Sequence, residues 1–225
     1  MSHGKQFTLY SYPAGPNGWK VAVFLEELGL PYETVYLNMD KKEQKAPEFL
    51  KFNPNGRIPA LVDHKNNDFV LWESDAILLY LAEKYDTAHA FSASSEEGKL
   101  EQLQWLFFQA SGQGPYFGQA TWFLWYHSEK VPSALERYRD EIKRVYGVLE
   151  GRLAQQEYMV GGKLSIVDLA FVHWNQLAFR PDVIGEEFDI TKAFPAVAAW
   201  HHKVNGRASV QKCFALRAQL MAAKK

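Results

Sequence analysis

A chain of 225 residues has room for one large domain or two small ones, and with 47% apolar and 15% aromatic residues it can bury a sizeable core. A formal net charge of −1 argues against a nucleic-acid or anionic-membrane partner, both of which need a basic surface. The one cysteine, Cys213, excludes an internal disulfide and fits a reducing compartment. No apolar run approaches the ~18 residues of a bilayer span, and Met1–Lys5 carries no apolar signal core, so the expected location is the cytosol.

In chain order, Phe7–Ser11 is β-prone, and Pro13, Gly15, Pro16 and Gly18 then break the chain. Asn17 is placed to cap the next helix, whose apolar face is Val21, Phe24, Leu25 and Leu28, with Gly29 as its stop. Tyr32–Leu37 reads as a second strand, and a short helix is expected near Pro47–Phe52. Two short strands, Pro59–Val62 and Phe69–Trp72, flank an Asn66-Asn67-Asp68 turn. Helix signals follow from Ser74 to Tyr85. The order β-α-β then β-β-α predicts a small mixed sheet with helices on both faces.

Asp86–Ser95 reads as a linker, and everything beyond it as helical. Lys99–Gly112 and Ala134–Leu153 are long amphipathic stretches. Ser165 at an N-cap with Asp168 three residues on forms a capping box, flanked by Leu164 and Leu169 as a hydrophobic staple. Pro195–Val204 and Ser209–Lys225 supply further helices. The expected division is an α/β domain over residues 1–86 and an all-α domain over residues 95–225.

The richest stretch runs from Asn53-Pro54-Asn55-Gly56-Arg57-Ile58-Pro59-Ala60-Leu61-Val62 to Trp72-Glu73-Ser74-Asp75-Ala76-Ile77. Pro59 cannot donate to a strand ladder and belongs at a strand's first residue or edge. A cis bond before it would turn the Ile58 backbone outward at a tight corner, where its N–H and C=O can meet an extended ligand as a neighbouring strand would. Glu73 and Ser74 stand at a helix start, where the dipole favours anions.

These residues resemble the glutathione-site signature of the soluble glutathione transferases. The nearest resemblance is to the fungal class related to the nitrogen-catabolite-repression regulator that can also form a prion. Ala14-Gly15-Pro16-Asn17-Gly18-Trp19-Lys20-Val21, Lys45-Ala46-Pro47-Glu48-Phe49, Trp105–Gln109, Glu136-Arg137-Tyr138, Arg144–Val148 and Leu164–Phe171 extend it over nearly the whole chain. The resemblance implies a thioredoxin-like glutathione-binding domain followed by a helical bundle, a homodimer, and glutathione as co-substrate. No metal or bound organic cofactor is expected, since no His/Cys cluster has ligand spacing.

Glutathione needs a backbone edge, an anion for its ammonium, donors for two carboxylates, and a group beside its sulfur. Ile58 and Pro59 form the edge, Ser74 faces the γ-glutamyl carboxylate and Glu73 the ammonium. Gln44, Lys45 and Arg57 are candidates for the glycyl carboxylate, with only Arg57 able to pair bidentately. The Asn17 amide can donate to sulfur but cannot take its proton, so its role is electrostatic. In the resembling fungal class an asparagine at the matching position lies next to the sulfur. Ser11 and Tyr12 remain rivals. Some related classes use a cysteine where Asn17 stands, and its absence speaks against mixed-disulfide chemistry.

An apolar second substrate needs an aromatic pocket. Tyr116, Phe117, Trp122, Tyr126 and His127 are its expected lining, in a segment broken by Gly112, Gly114, Pro115 and Gly118. The expected function is a glutathione transferase that aims the thiolate at apolar electrophiles or organic peroxides, with detoxification as the setting. The alternatives are a non-catalytic regulator on the same fold and a carrier of apolar molecules. The chain carries no Asn/Gln-rich segment of the prion-forming kind, which favours the enzyme.

Overall fold

The computed structural model describes residues 4–223, so the first three residues of the stretch read for a signal core, and the last two of the stretch Ser209–Lys225 expected as helix, lie outside the described residues. The chain forms two compact units, one of Phe91–Gly206 and the other of the residues up to Ala90 together with those from Arg207 onward.

The first unit holds strands β1 (Phe7–Ser11), β2 (Tyr32–Tyr36), β3 (Ala60–Asp63) and β4 (Phe69–Trp72) in the order β2-β1-β3-β4. Helix α1 (Pro16–Glu27) carries the chain from β1 to β2, and the two strands are therefore parallel. β3 runs antiparallel to both β1 and β4, with Tyr10 opposite Ala60 and Val62 opposite Val70. The β3–β4 turn needs left-handed backbone at Asn67 and Asp68, residue types that tolerate it. Short helix α2 (Pro47–Leu50) lies between β2 and β3, and α3 (Ser74–Tyr85) follows β4. The mixed sheet and the β-α-β, β-β-α order match expectation.

The core of this unit is built from Phe7, Leu9, Val21, Phe24, Leu25, Leu61, Ile77, Leu78 and Leu81. Helix α1 is buried all round from Gly18 to Leu25, more than its amphipathic pattern predicts. The cause is the last helix of the chain. Expected in the helical domain, α11 (Ala208–Ala222) instead packs along α1. Arg207 donates to both Glu27 carboxylate oxygens at 2.5 and 2.7 Å, Ser209 Oγ to Glu27 at 2.5 Å, and Lys212 to Glu26 at 2.7 Å.

The second unit is helical throughout its regular structure. Helix α4 (Glu96–Phe108) starts at Ser95, whose hydroxyl accepts from the Gly98 N–H at 3.1 Å. A π turn at Gln109–Gln113 leads into α5 (Gly114–Thr121), and a second at Trp122–Tyr126 ends it. Gly112, Gly114, Pro115 and Gly118, expected as breaks, are therefore inside near-continuous helix. Pro115 sits in the first turn of α5, where a missing N–H costs little. A side chain at Gly118 would meet the Trp174 ring at 3.3 Å, so glycine permits that packing.

Helix α6 (Pro132–Leu153) buries Ile142, Val145, Tyr146, Leu149 and Leu153 at helical spacing. Helix α7 (Ile166–Ala178) is buried from Ile166 to Asn175, and the short helices α8 (Pro181–Ile184) and α9 (Ile190–Ala193) lead to α10 (Pro195–Asn205). The capping box is formed as expected. Asp168 accepts from the Ser165 N–H and hydroxyl, each at 2.8 Å, and also from the Met159 N–H and Trp200 Nε1. Among the described residues, no helix is long and apolar enough to cross a membrane.

Candidate functional site

The site begins where β1 ends. After Ser11 the chain turns, with the Gly15 N–H donating to the Tyr12 carbonyl at 3.1 Å, and α1 starts with Gly15 as N-cap and Pro16 as first helical residue. Asn17 is therefore not the cap that the sequence predicts. Pro16, whose ring fixes a helical φ, moves the start of the helix two residues earlier and places Asn17 in the first turn. There the amide is partly exposed among the helix's outward N–H groups. Ser11 is 2% exposed, and its Oγ fills the space that a side chain at Gly18 would need, at 1.9 Å from an added Cβ. That packing withdraws Ser11 from any ligand. Tyr12 is half-buried.

The Ile58–Pro59 peptide bond is cis, with Pro59 immediately before β3. Neither the N–H nor the C=O of Ile58 has a hydrogen-bond partner among the described residues. The Ile58 side chain reaches the α1 turn, since Cδ1 lies 3.2 Å from the place of a Cβ on Gly15. The Ile58 edge and the head of α1 thus meet.

The loop before Ile58 is held by a residue that sequence reasoning gave no role. Asn53 is buried, its amide donates to the Arg57 carbonyl at 2.7 Å and its Oδ1 accepts from the Asn55 N–H at 2.9 Å. Gly56, at φ +63°, leaves room for Lys45, whose Nζ donates to the Asn55 carbonyl at 2.9 Å. Any side chain at Gly56 would come within 2.8 Å of that Nζ. Lys45 and Arg57 are exposed, and Gln44 is half-buried with an Oε1 that finds no partner among the described residues. The three glycyl-carboxylate candidates therefore belong to one corner of the first unit.

Ser74 opens α3 and is buried. Its Oγ accepts from Lys20 Nζ at 3.1 Å, and the same ammonium donates to Asp75 Oδ1 at 3.1 Å. Lys20 is 2% exposed. Burial pushes its pKa down from the ordinary lysine value, while the Asp75 charge and hydrogen bond, then the Glu73 charge, oppose the fall. With one lone pair engaged by Lys20, the Ser74 hydroxyl keeps its proton to give to an arriving anion. Glu73 is exposed and holds φ +70°, ψ 113°, a strain of about 1–3 kcal/mol for a residue with a Cβ. The strained turn sends the Glu73 side chain outward while Ser74 faces in. The Lys20–Ser74–Asp75 group was not legible in the sequence, because a lysine four residues into a helix reads as solvated.

The aromatic candidates lie in the second unit. Phe117 does not meet its expectation as a pocket residue: it is fully buried edge-on against Tyr146, centroids 5.5 Å apart at 81°, and belongs to the helical core. Trp122 and Tyr126 are exposed and stack on each other at 5.9 Å and 27°. Tyr116 is half-buried beneath the Arg144 guanidinium, 5.9 Å from its centroid. His127 is half-buried with its ring 5.0 Å from Phe123. Trp125, not among the candidates, continues the exposed shelf and donates Nε1–H to Asp182 at 3.2 Å.

Cys213 lies in α11 at 2% exposure, and its thiol is pushed up to about 12, by burial first, then by the Glu26 charge, against the opposing Lys212 charge. It is a small buried apolar residue rather than a nucleophile. Among the described residues, no three His, Cys, Asp or Glu side chains gather as a metal-binding group.

Residues 5–83 match the family model of the glutathione S-transferase N-terminal domain, and residues 113–208 that of the C-terminal domain. Glutathione S-transferase 2 of Schizosaccharomyces pombe is 49% identical over 225 residues, covering 95% of this chain and 96% of that protein. The crystal structure of the glutathione transferase URE2P8 from Phanerochaete chrysosporium with oxidized glutathione superposes with a TM-score of 0.94 at 50% identity, covering 99% of each chain. Ure2p5 from the same organism, cocrystallized with 1-(S-glutathionyl)-2,4-dinitrobenzene, superposes at 0.90 with 51% identity, covering 98% of each chain.

Proposed function

The chain belongs to the glutathione S-transferase family, and from that premise we propose that it binds glutathione in its first unit, stabilises the thiolate, and directs it at apolar electrophiles or organic peroxides. The single observation that carries this reading is the meeting of the unpaired Ile58 edge with the head of α1. In the proposed pose the tripeptide lies along Ile58 as an added strand, and Ser74, polarised by Lys20, donates to the γ-glutamyl carboxylate. Glu73 takes the ammonium, and Arg57, Lys45 and Gln44 serve the glycyl end.

A free thiol ionises near ~8.5, and lowering that value by ~2 units takes about 2.7 kcal/mol of preference for the thiolate. The first turn of α1 offers part of it through its N–H groups and dipole, and the Asn17 amide offers a directed donor. Asn17 cannot hold a proton, so the proton leaves to water. With an aryl halide, the C–S bond forms as the carbon–halogen bond breaks and halide departs. With a hydroperoxide, sulfur takes the terminal oxygen as the O–O bond breaks and alcohol leaves. A second glutathione then reduces the sulfenic acid to disulfide and water.

The cocrystallised dinitrobenzene conjugate of Ure2p5 supports an aryl electrophile for the conjugation reaction. The exposed Trp122–Tyr126 stack, with Tyr116, Trp125 and His127, is the proposed seat of the apolar partner. A homodimer in the cytosol, acting in detoxification, completes the reading, and sedimentation velocity measures the assembly.

The test is turnover of glutathione with 1-chloro-2,4-dinitrobenzene and with cumene hydroperoxide, alongside calorimetric binding of glutathione. Turnover of either substrate is expected, and their ratio separates conjugation from peroxide reduction. Tight binding with neither turnover would sink the enzyme reading and leave a regulator or carrier.

A further inference from the structure

We propose that Arg217, in the C-terminal helix, is a positioning residue for the thiol site: its guanidinium grips the two carbonyls that precede α1 and so sets the direction in which the head of that helix faces. The inference rests on the thiol site proposed above. Arg217 Nε donates to the Pro13 carbonyl at 3.1 Å and Nη2 donates to the Ala14 carbonyl at 2.9 Å. The Pro13 carbonyl also accepts from Trp19 Nε1 at 2.9 Å. With the Tyr12–Gly15 turn bond, every peptide group between the end of β1 and Pro16 that carries one of these carbonyls is tied. Asn17 lies three residues beyond Ala14.

The grip has an electrostatic consequence. In a trans peptide the C=O and N–H point in opposite directions within one plane. Holding the Pro13 oxygen on Arg217 therefore aims the Ala14 N–H away from α11, and no hydrogen bond occupies that N–H among the described residues. Two carbonyl dipoles turned toward a fixed cation keep their negative ends off a neighbouring thiolate, whose charge they would otherwise oppose. An arginine suits the task, because its planar fork serves two acceptors at once with little loss of side-chain freedom, and a lysine is a single point charge.

The fork is itself held in place. Arg217 is half-buried, and α11 is moored to the end of α1 by Arg207 and Ser209, both on Glu27. The pairing spans 204 residues of sequence for Pro13 and 203 for Ala14. It makes the last helix of the chain part of the thiol site and not only a cover for the core.

The experiment is an ultraviolet titration of glutathione bound to the full chain, read at the thiolate band, for the parent protein, Arg217→Ala, Arg217→Lys and Lys212→Ala. Arg217→Ala should raise the pH of ionisation by about one unit, a size typical of one charge-assisted contact. Arg217→Lys should recover part of that shift, and Lys212→Ala, on the same helix but bonded only to Glu26, should leave the titration in place. Identical curves for the parent and Arg217→Ala would overturn the proposal, as would an equal shift in Lys212→Ala, which would assign the effect to docking of α11 at large. If Arg217→Ala does not fold, Arg217→Lys decides: no shift overturns, a partial shift supports. A parent protein whose bound thiol ionises at the ordinary value removes the thiol-site reading itself, and this proposal with it, an outcome distinct from a parent that ionises low and an unresponsive variant.

Discussion

Two segments of the chain announce themselves as functional, Asn53–Ser74 and Gly112–His127, and they are built on opposite principles. In the first, side chains fix backbone. Asn53 closes the loop, Gly56 admits Lys45, Pro59 sets the corner, and the proposed ligand-facing groups are the Ile58 amide and a hydroxyl at a helix start. In the second, backbone sorts side chains. Each π turn adds about one residue to the helical register and turns everything after it by about 100°. Of two adjacent aromatic residues, Phe117 goes to the core and Tyr116 remains half-exposed. A motif that works through turn chemistry can be read residue by residue, whereas a motif that works through helix facing cannot be sorted before the register is known.

The strongest test of that contrast lies within the aromatic segment. Phe117→Ala should cost about 3–5 kcal/mol of stability, the range for emptying a buried aromatic site, and should lower activity only through loss of folded protein. Trp122→Ala, at 49% exposed, should cost under about 1 kcal/mol and instead raise KM for aryl substrates while leaving glutathione binding alone. Urea denaturation and steady-state kinetics on both variants check the pair, and matching stability losses would erase the distinction between core and shelf.

In the other segment the corresponding weak point is Lys20. Lys20→Met should destabilise by about 3 kcal/mol, because it strands a buried Asp75 carboxylate, and should weaken glutathione binding at least about tenfold through Ser74. The double variant Lys20→Met/Asp75→Leu sharpens the reading. It should regain most of the stability with no recovery of affinity, since the polariser of Ser74 is still missing. Recovery of both, by calorimetry, would reduce Lys20 to a structural ion pair.

How far the sequence could be read follows the same division. The succession of strands and helices in the first unit, the Pro59 corner and the Ser165–Asp168 box rest on neighbours within a few residues, and each stands where local chemistry puts it. The N-cap was misplaced by two residues because Pro16 competes with Asn17 for the start of α1. The long-range features were out of reach. Nothing near Lys20 reports that α3 will cover it, and nothing in residues 207–217 reports that α11 returns to α1 and leaves the helical unit. Within the site, the Ile58 corner was legible from its proline, Ser74 from its helix start, and the buried cation behind Ser74 from neither.

A smaller effect is expected at Asn17. Asn17→Ala should raise the pH at which bound glutathione ionises by about one unit, a loss of roughly 1.4 kcal/mol of thiolate preference. Asn17→Asp should raise it further, because a carboxylate repels the thiolate. The ultraviolet thiolate titration reads both, and curves that coincide with the parent would take Asn17 out of the mechanism and turn attention to Tyr12.

The smallest effect is set by pH and belongs to the mooring of α11. Burial by itself would push the Glu27 carboxyl up, yet the hydrogen bonds from Arg207 and Ser209 and the Arg207 charge hold it below its ordinary value of 4.5. A carboxyl depressed in the folded state binds fewer protons there than in the unfolded chain, so its contribution is complete above the ordinary value and is lost as pH falls through the lower, folded one. Arg207 is partly exposed and solvent screens the pair, so the mooring should be worth only about 2–4 °C of melting temperature at neutral pH. Glu27→Gln should show that deficit at neutral pH and converge on the parent in acid, below the folded Glu27 value. Amide protection along α11, corrected for the intrinsic pH dependence of exchange, should fall in the parent over the same acid window and be nearly flat in the variant. A melting-temperature gap that persists unchanged into acid would mean that Glu27 acts through shape, and that its charge is not what ties the last helix to the first.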